Sequence, residues 1–161
     1  SKKTIFIITQ FNHPRELTGE ARKGIQILRE CGCIVRNQAV LLQGVNDQAR
    51  ILADLMNGLV RMGVIPYYIF QCRPVIGVKN QFQVPIEEGI RIVDEAKHLM
   101  SGQSKGLRYC LSHPDGKIEI IGKDDSDRVI FKFHQAKIDE DSGRIFAQKM
   151  SKDQSWIVEI K

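Results

Sequence analysis

Three apolar runs of the chain end in, or contain, polar side chains that could bind a small ligand. The run Thr4–Ile8 leads to Gln10, Asn12 and His13, the run Cys33–Leu42 contains Asn37 and Gln38, and the run Val64–Phe70 leads to Arg73. A helix-length amphipathic segment follows each run, and strand–helix units of this kind build a parallel sheet. Such sheets bind ligands at the carboxyl ends of their strands, which is where these side chains would lie. The pattern is typical of part of an enzyme.

Two amides and one lysine have residue types that suit ligand chemistry. Asn37 and Gln38 interrupt an apolar strand, and buried amides need hydrogen-bond partners. A ligand or the protein's own backbone could supply these partners, and we favour the ligand. Lys117 follows Pro114-Asp115-Gly116 and precedes another apolar run. An amine in that position could form a Schiff base with a carbonyl compound, although a surface lysine in a hairpin would show the same sequence.

The four cysteines do not form a metal-binding pattern. Cys31 and Cys33 are separated by a single glycine, which is closer than the Cys-x2-Cys spacing of zinc sites, while Cys72 and Cys110 stand alone. We therefore expect reduced, mostly buried thiols and no metal bound by this chain.

Composition excludes several classes of protein. A chain of 161 residues with 42% hydrophobic and 27% charged residues suits one globular domain. No apolar run approaches the ~20 residues of a membrane helix, and the first run is too short for a signal peptide. The net charge of +5 is scattered over the chain rather than collected in a stripe. We expect a cytoplasmic protein that binds neither membranes nor nucleic acid.

Periodicity and end signals predict three helices. The first should run from about Thr18 to Cys31 and stop at Gly32, the second should begin at Asn46 or Asp47, and the third should begin at Pro85 and end before Gly102.

After Gly102 the sequence changes to short strands with turn residues between them. The predicted strands are Leu107–Leu111, Lys117–Ile121, Arg128–Phe133 and Arg144–Ala147. Residues 1–102 should thus form three βα units, and residues 103–161 should form a β-rich, antiparallel extension that contains Lys117. Three units are too few for a closed barrel, so the sheet is either open or part of something larger.

Taken together, in order and at these spacings, three segments resemble the lysine 2,3-aminomutase family of radical S-adenosylmethionine enzymes. They are Thr9–Thr18 (TQFNHPRELT), Asn37–Asp47 (NQAVLLQGVND) and Pro66–Cys72 (PYYIFQC). The second segment is the most specific. The resemblance implies an α/β fold, the C-terminal half of a partial (βα)6 barrel.

The resemblance also implies three cofactors: a [4Fe-4S] cluster, S-adenosylmethionine and pyridoxal phosphate. Lys117 would carry pyridoxal phosphate, and Gln38 would contact S-adenosylmethionine. Gln10 replaces a histidine near S-adenosylmethionine, and Phe70 replaces a tyrosine near the pyridine ring. We expect the cofactor-binding residues to be Gln10, Asn12, His13, Asn37, Gln38, Phe70 and Lys117.

The cluster-binding Cys-x3-Cys-x2-Cys loop of the family does not occur in this sequence. The chain is therefore expected to be one half of such an enzyme and inactive alone. Its expected partners are the missing N-terminal half of the barrel, an amino acid substrate and further copies of itself. The strand Thr4–Ile8 should offer an open edge, and Ile7, Val40 and Ile69 should face the empty barrel interior.

Two departures from the family point to an acidic substrate. Lysine aminomutases hold the substrate ammonium with two aspartates, and those positions match Arg73 and Ser112 here. A guanidinium would repel an ammonium and could bind a carboxylate bidentately. A glutamate-like amino acid is therefore the expected substrate.

A third departure concerns the pyridoxal loop. The glycine run that precedes the family's lysine reads His113-Pro114-Asp115-Gly116 here. Two alternatives therefore remain open: a radical enzyme of the same fold without pyridoxal phosphate, and a non-catalytic binding module.

Overall fold

The fold is α/β, with three helices and seven strands in the described parts of the chain. A computed structural model describes residues 3–77, 81–158 and 160. In chain order the elements are β1 (Phe6–Thr9), α1 (Gly19–Glu30), β2 (Ile34–Leu41), α2 (Ala49–Arg61), β3 (Ile65–Gln71), α3 (Ile86–Leu99), β4 (Arg108–His113), β5 (Gly116–Lys123), β6 (Val129–Ala136) and β7 (Ile145–Gln148). No helix within these described ranges has both the length and the hydropathy needed to cross a membrane.

All seven strands belong to one sheet, and they follow one another in chain order from β1 to β7. Strands β1 to β4 pair in parallel, and β4 to β7 pair antiparallel. Helix α3 brings the chain back to the end of the sheet at which β1 to β3 begin. Strand β4 therefore starts at that end and lies parallel to β3. The antiparallel pairing predicted for the whole C-terminal part therefore begins one strand later, at β5.

The predicted ends of α1 are confirmed. The Oγ1 of Thr18 accepts a hydrogen bond from the Ala21 N–H at 3.2 Å, as an N-cap should. Gly32 follows the helix with a φ of 82°, a left-handed conformation that glycine adopts without steric cost.

The predicted start of α2 is wrong, because Asn46 and Asp47 bind the preceding loop instead of the helix. The Oδ1 of Asn46 accepts from the Leu42 N–H at 2.7 Å, and an Asp47 carboxylate oxygen accepts from the Gly44 N–H at 2.8 Å. The helix begins at Ala49 without a side-chain cap. The side chains of Asn46 and Asp47 accept hydrogen bonds from N–H groups of the loop, so they are not used to cap the helix.

Helices cover one face of the sheet. In β2 the side chains Val35, Asn37, Ala39 and Leu41 are buried, whereas the alternate residues are only half-buried. The buried apolar residues of β2 belong to one core together with the inner residues of all three helices. We call this side the helix-covered face and the other side the open face.

The open face carries Ile8, Arg36, Gln38, Val40 and Phe70, since residues in register share a face of a sheet. Val40 was predicted to face this side and does. Ile7 and Ile69 were predicted to do the same, and this is wrong. Ile7 pairs with Val35 and Ile69 pairs with Ala39, so both pack on the helix-covered face.

Strand β1 lies at the edge of the sheet, and its open-face side chains Phe6 and Ile8, together with the preceding Ile5, are exposed. The exposed fractions of Ile5, Phe6 and Ile8 are 56%, 52% and 48%. Edge strands with apolar surface recruit partners. We therefore expect the chain to self-associate through this edge.

Ile8→Lys should lower the average mass measured by light scattering over a concentration series, because a charge at the edge opposes association. Ile27→Lys is the control, since Ile27 is 60% exposed on α1. A wild-type monomer at all concentrations would contradict the expectation.

Candidate functional site

A cavity of about 490 Å³ opens on the open face, at the carboxyl ends of β2 and β3. Its lining combines polar and cationic residues with a larger apolar surface. The lining residues are Gln10, Gln38, Val40, Phe70, Gln71, Cys72, Arg73, Val75, Ser112 and Lys117. This is a volume that accommodates a small molecule.

Strand alternation and register bring these side chains together. Gln38 and Val40 are two residues apart on β2, and Phe70 of β3 pairs with Val40. Lys117 of β5 pairs with Ser112 of β4 in the antiparallel hairpin. Six of the predicted site residues therefore line one cavity: Gln10, Gln38, Phe70, Arg73, Ser112 and Lys117.

Arg73 and Ser112, which are 39 residues apart in sequence, are in direct contact. The Nε–H of Arg73 donates to the Ser112 carbonyl oxygen at 2.9 Å, and its Nη2 donates to the Ser112 Oγ at 2.8 Å. A guanidinium has five N–H donors. Within the described residues, the hydrogen bonds of Arg73 are made by its Nε and Nη2, and its Nη1 makes none.

The charged side chains of the cavity are both cationic. Arg73 and Lys117 are the charged residues in its lining, and no carboxylate among the described residues lines it. Lining of one sign concentrates ligands of the opposite charge. The cavity is therefore suited to an anionic ligand.

The aromatic ring of Tyr68 lies next to the amine of Lys117. Its Nζ lies 4.9 Å from the centroid of the Tyr68 ring, which is within cation–π distance. Burial raises the pKa of the Tyr68 hydroxyl above its usual range, so Tyr68 remains a neutral phenol at physiological pH. Burial also raises the pKa of the Cys110 thiol to about 12, so this thiol stays protonated.

Gln71 fixes the wall of the cavity and was missed as a site residue. Its Nε2 donates to the carbonyl oxygens of Val84 and Ser155 at 2.6 and 2.9 Å, and its Oε1 accepts from the Tyr109 hydroxyl. These contacts tie β3 to the loop before α3 and to the C-terminal segment. Gln71 ends an apolar strand beside Arg73, a polar position that could have been recognised in the sequence.

Asn37 lies on the helix-covered face, away from the cavity. Its Oδ1 accepts from the Phe11 N–H at 2.8 Å and the Thr9 hydroxyl at 2.9 Å, and its Nδ2 donates to the Phe11 carbonyl at 3.1 Å. The backbone thus satisfies this buried amide. Strand alternation sends Asn37 and its neighbour Gln38 to opposite faces.

Asn12 and His13 also contact the backbone rather than the cavity. The Oδ1 of Asn12 accepts from the Val40 N–H at 2.8 Å, and the Nδ1 of His13 accepts from the Arg15 N–H at 3.1 Å. Their cofactor-binding role, like that of Asn37, stays a prediction.

The turn before Lys117 is a two-residue connection between His113 and Gly116. Gly116 has a φ of 144°, and a Cβ there would lie 2.0 Å from the Gln135 carbonyl oxygen. The one glycine that remains from the family's run is therefore required by the β5–β6 contact.

The architecture and the cavity together define an α/β protein with a cavity whose charged lining residues are cationic, and comparison with known proteins specifies it further. No family model matches the chain. It is 40% identical over 154 residues to a protein provisionally named L-lysine 2,3-aminomutase from Aquifex aeolicus (strain VF5), covering 96% of this chain and 41% of that protein.

Two further relatives carry different substrates in their names. The L-lysine 2,3-aminomutase of Clostridium subterminale is 40% identical over 107 residues, which cover 66% of this chain and 24% of the relative. The glutamate 2,3-aminomutase of Clostridioides difficile (strain 630) is 35% identical over 112 residues, which cover 70% and 26%. The chain spans less than half the length of these relatives. It belongs to the lysine 2,3-aminomutase family.

The contrast between Asn37 and Gln38 is testable by unfolding in urea. Asn37→Ala should lower the free energy of unfolding by about 1–3 kcal/mol, because the Phe11 backbone groups lose their partners. Gln38→Ala should change it by less than about 0.5 kcal/mol, because this side chain faces the cavity. Equal losses would contradict the assignment of the two amides to opposite faces.

Proposed function

We propose that this chain is the C-terminal part of an amino acid 2,3-aminomutase whose substrate is an acidic, glutamate-like amino acid. The observation that carries the proposal is the contact between Arg73 and Ser112 at the mouth of one cavity with Lys117. Arg73 and Ser112, predicted to bind the substrate, and Lys117, predicted to be catalytic, come from two separate stretches of sequence and line the same cavity.

The topology supports a half barrel. Four parallel strands in chain order with helices on one face are the arrangement that a (βα) barrel repeats, whereas doubly wound sheets carry helices on both faces. In this proposal the open face is the barrel interior. Residues 1–102 form three βα units, residues 103–161 form the extension, and the N-terminal half of the barrel completes the site.

Arg73 would select the substrate by charge and geometry. Its Nε and one Nη2 hydrogen are held by Ser112, which orients the remaining donors. These donors could bind a side-chain carboxylate in bidentate fashion, while an ammonium would meet two cations and, in the described part of the lining, no carboxylate. Identity alone does not separate lysine from glutamate, since relatives of both names match at 35–40%.

Pyridoxal phosphate is the cofactor proposed for Lys117, and two of three features fit it. A primary amine lies in a cavity of sufficient volume, and the lining carries no carboxylate among the described residues. The cofactor would supply a carbonyl carbon that holds the amino group of the substrate. Phe70 lines the same cavity and would pack against its ring.

The third feature favours the alternative without pyridoxal phosphate. Gly116 is needed by the sheet, and the two-residue turn leaves no glycine run to approach a phosphate. The second candidate is therefore a radical S-adenosylmethionine enzyme of the same fold that uses Lys117 as a cation.

In both candidates S-adenosylmethionine and the [4Fe-4S] cluster bind at the junction with the N-terminal half, which would provide the cluster ligands. Gln10 and Gln38 line the cavity and would contact S-adenosylmethionine. The chain by itself would be inactive. Its residues would orient the substrate and hold its charged groups.

Arg73→Asp in the complete enzyme should abolish turnover of glutamate and admit some lysine, because it reverses the charge that meets the substrate side chain. A bidentate pair contributes about 1.5–3 kcal/mol, which corresponds to roughly 10- to 150-fold in affinity. Arg73→Lys, which keeps the charge but not the fork of donors, should retain part of the activity. Kinetics with both substrates provide the measurement.

Arg22→Asp is the matched control, since Arg22 is an exposed arginine on α1 outside this cavity. It should leave both substrates unaffected. Unchanged turnover of glutamate in Arg73→Asp would refute the proposed substrate class.

Lys117→Ala should remove the absorbance near ~420 nm that pyridoxal phosphate gives when joined to a lysine. Borohydride reduction followed by mass spectrometry should locate the cofactor mass on Lys117 in the wild type. Lys132→Ala on β6 serves as the control. A wild-type protein that neither absorbs nor retains the mass, yet turns over substrate, would favour the second candidate.

A further inference from the structure

A row of aromatic rings and cations crosses the open face of the sheet. The guanidinium carbon of Arg36 lies 5.2 Å from the centroid of the Phe6 ring and 4.9 Å from that of Tyr67. Tyr67 contacts Tyr68, and the Lys117 Nζ lies 4.9 Å from the Tyr68 centroid. The row therefore ends at the amine of Lys117, which lines the cavity.

The Tyr68 ring is the favourable partner of the Lys117 ammonium. No carboxylate in the described parts of the chain lies within ion-pair distance of Nζ. The nearby carboxylate of Glu119 is paired with Arg108 at 3.5 Å. The other charge in the cavity, Arg73, has the same sign as Lys117. An aromatic face attracts a cation without adding a charge to an anion-binding cavity.

Tyr68 is itself immobilised on several sides. It is 1% exposed, and its hydroxyl donates to the Tyr67 hydroxyl at 3.1 Å. Its ring lies 5.0 Å from the Phe70 ring, and the edge of His134 approaches to 5.8 Å between centroids. The ring therefore offers a fixed surface, whereas a lysine side chain alone has four rotatable bonds.

We propose that Tyr68 is a positioning residue for Lys117. Its ring holds the ammonium at the floor of the cavity, which leaves the volume beside Arg73 open for a ligand. This inference rests on the proposed function only because it takes Lys117 as the amine that acts on the cofactor or substrate. It concerns the state of that amine before any cofactor or substrate binds.

Nuclear magnetic resonance of the chain tests this directly. Reductive methylation with ¹³C-formaldehyde converts lysine amines to dimethylamines that remain charged, and nuclei above an aromatic ring are shifted upfield. The Lys117 signal, assigned by its loss in Lys117→Arg, should lie upfield of the other lysines. Tyr68→Phe should keep this shift because it keeps the ring, and Tyr68→Leu should abolish it.

Tyr67→Phe is the control, because it removes the hydroxyl pair and leaves the Tyr68 ring in place; it should keep the shift. If Tyr68→Leu does not fold, a nuclear Overhauser effect between the Lys117 methyl groups and the Tyr68 ring protons in the wild type decides. A wild-type Lys117 signal among the other lysines without that effect, or an unchanged shift in folded Tyr68→Leu, would overturn the proposal.

The measurement requires neither cofactor nor substrate, so its outcome is separate from that of the proposed function. An upfield Lys117 signal in a protein that does not act on glutamate would support the positioning role alone. Glutamate turnover by a protein that lacks the upfield signal would leave the enzyme assignment intact and refute the role of Tyr68.

Discussion

Helices cover only one face of the sheet, and side-chain alternation therefore divides each strand between an apolar core and an open face. On the covered face, Leu41, Ile69 and Leu111 pack with the helices and are fully buried. Burial of each such side chain contributes about 1.5–3 kcal/mol, so the fold draws its stability from this face. The open face does not pack against helices and can therefore carry polar side chains, among them Gln38, Arg73 and Lys117.

The same division explains the roles of residues that are neighbours in sequence. Asn37 faces the covered side and satisfies the backbone of the Phe11 segment, while Gln38 faces the cavity. At the end of β3, Gln71 ties the strand to two loops, and Arg73, two residues further along the chain, contacts Ser112 of β4. A rigid wall thus carries a guanidinium with donors left for a ligand. Affinity benefits from this preorganisation, because the ordering cost is met before the ligand arrives.

Local signals in the sequence were sufficient for most of the elements, whereas Phe70 and Ser112 of the cavity were identified only through the resemblance to the family. Thr18 and Gly32 mark the ends of α1 by chemistry that acts over a few residues, and both predictions are confirmed.

The predicted start of α2 is wrong because the Asn46 side chain accepts a hydrogen bond from the Leu42 N–H of the preceding loop. The sequence does not show which of several nearby N–H groups such a side chain will bind. Ile69 was assigned to the wrong face because the register between β2 and β3 shifts between Asn37 and Gln38, and a one-residue slip reverses the side on which residues lie. The contact between Arg73 and Ser112 depends on β3 and β4 being adjacent, which only the fold determines.

The central claim is that the open face holds an anion-binding cavity in which Arg73 recognises a carboxylate. The Nε–H of Arg73 is hydrogen-bonded to the Ser112 carbonyl, which should make its ¹⁵N–¹H signal observable, and Arg73→Lys would assign it. Titration with L-glutamate should shift this signal saturably, whereas titration with L-lysine at the same ionic strength should leave it in place. A shift produced by lysine, or none produced by glutamate, would contradict the account.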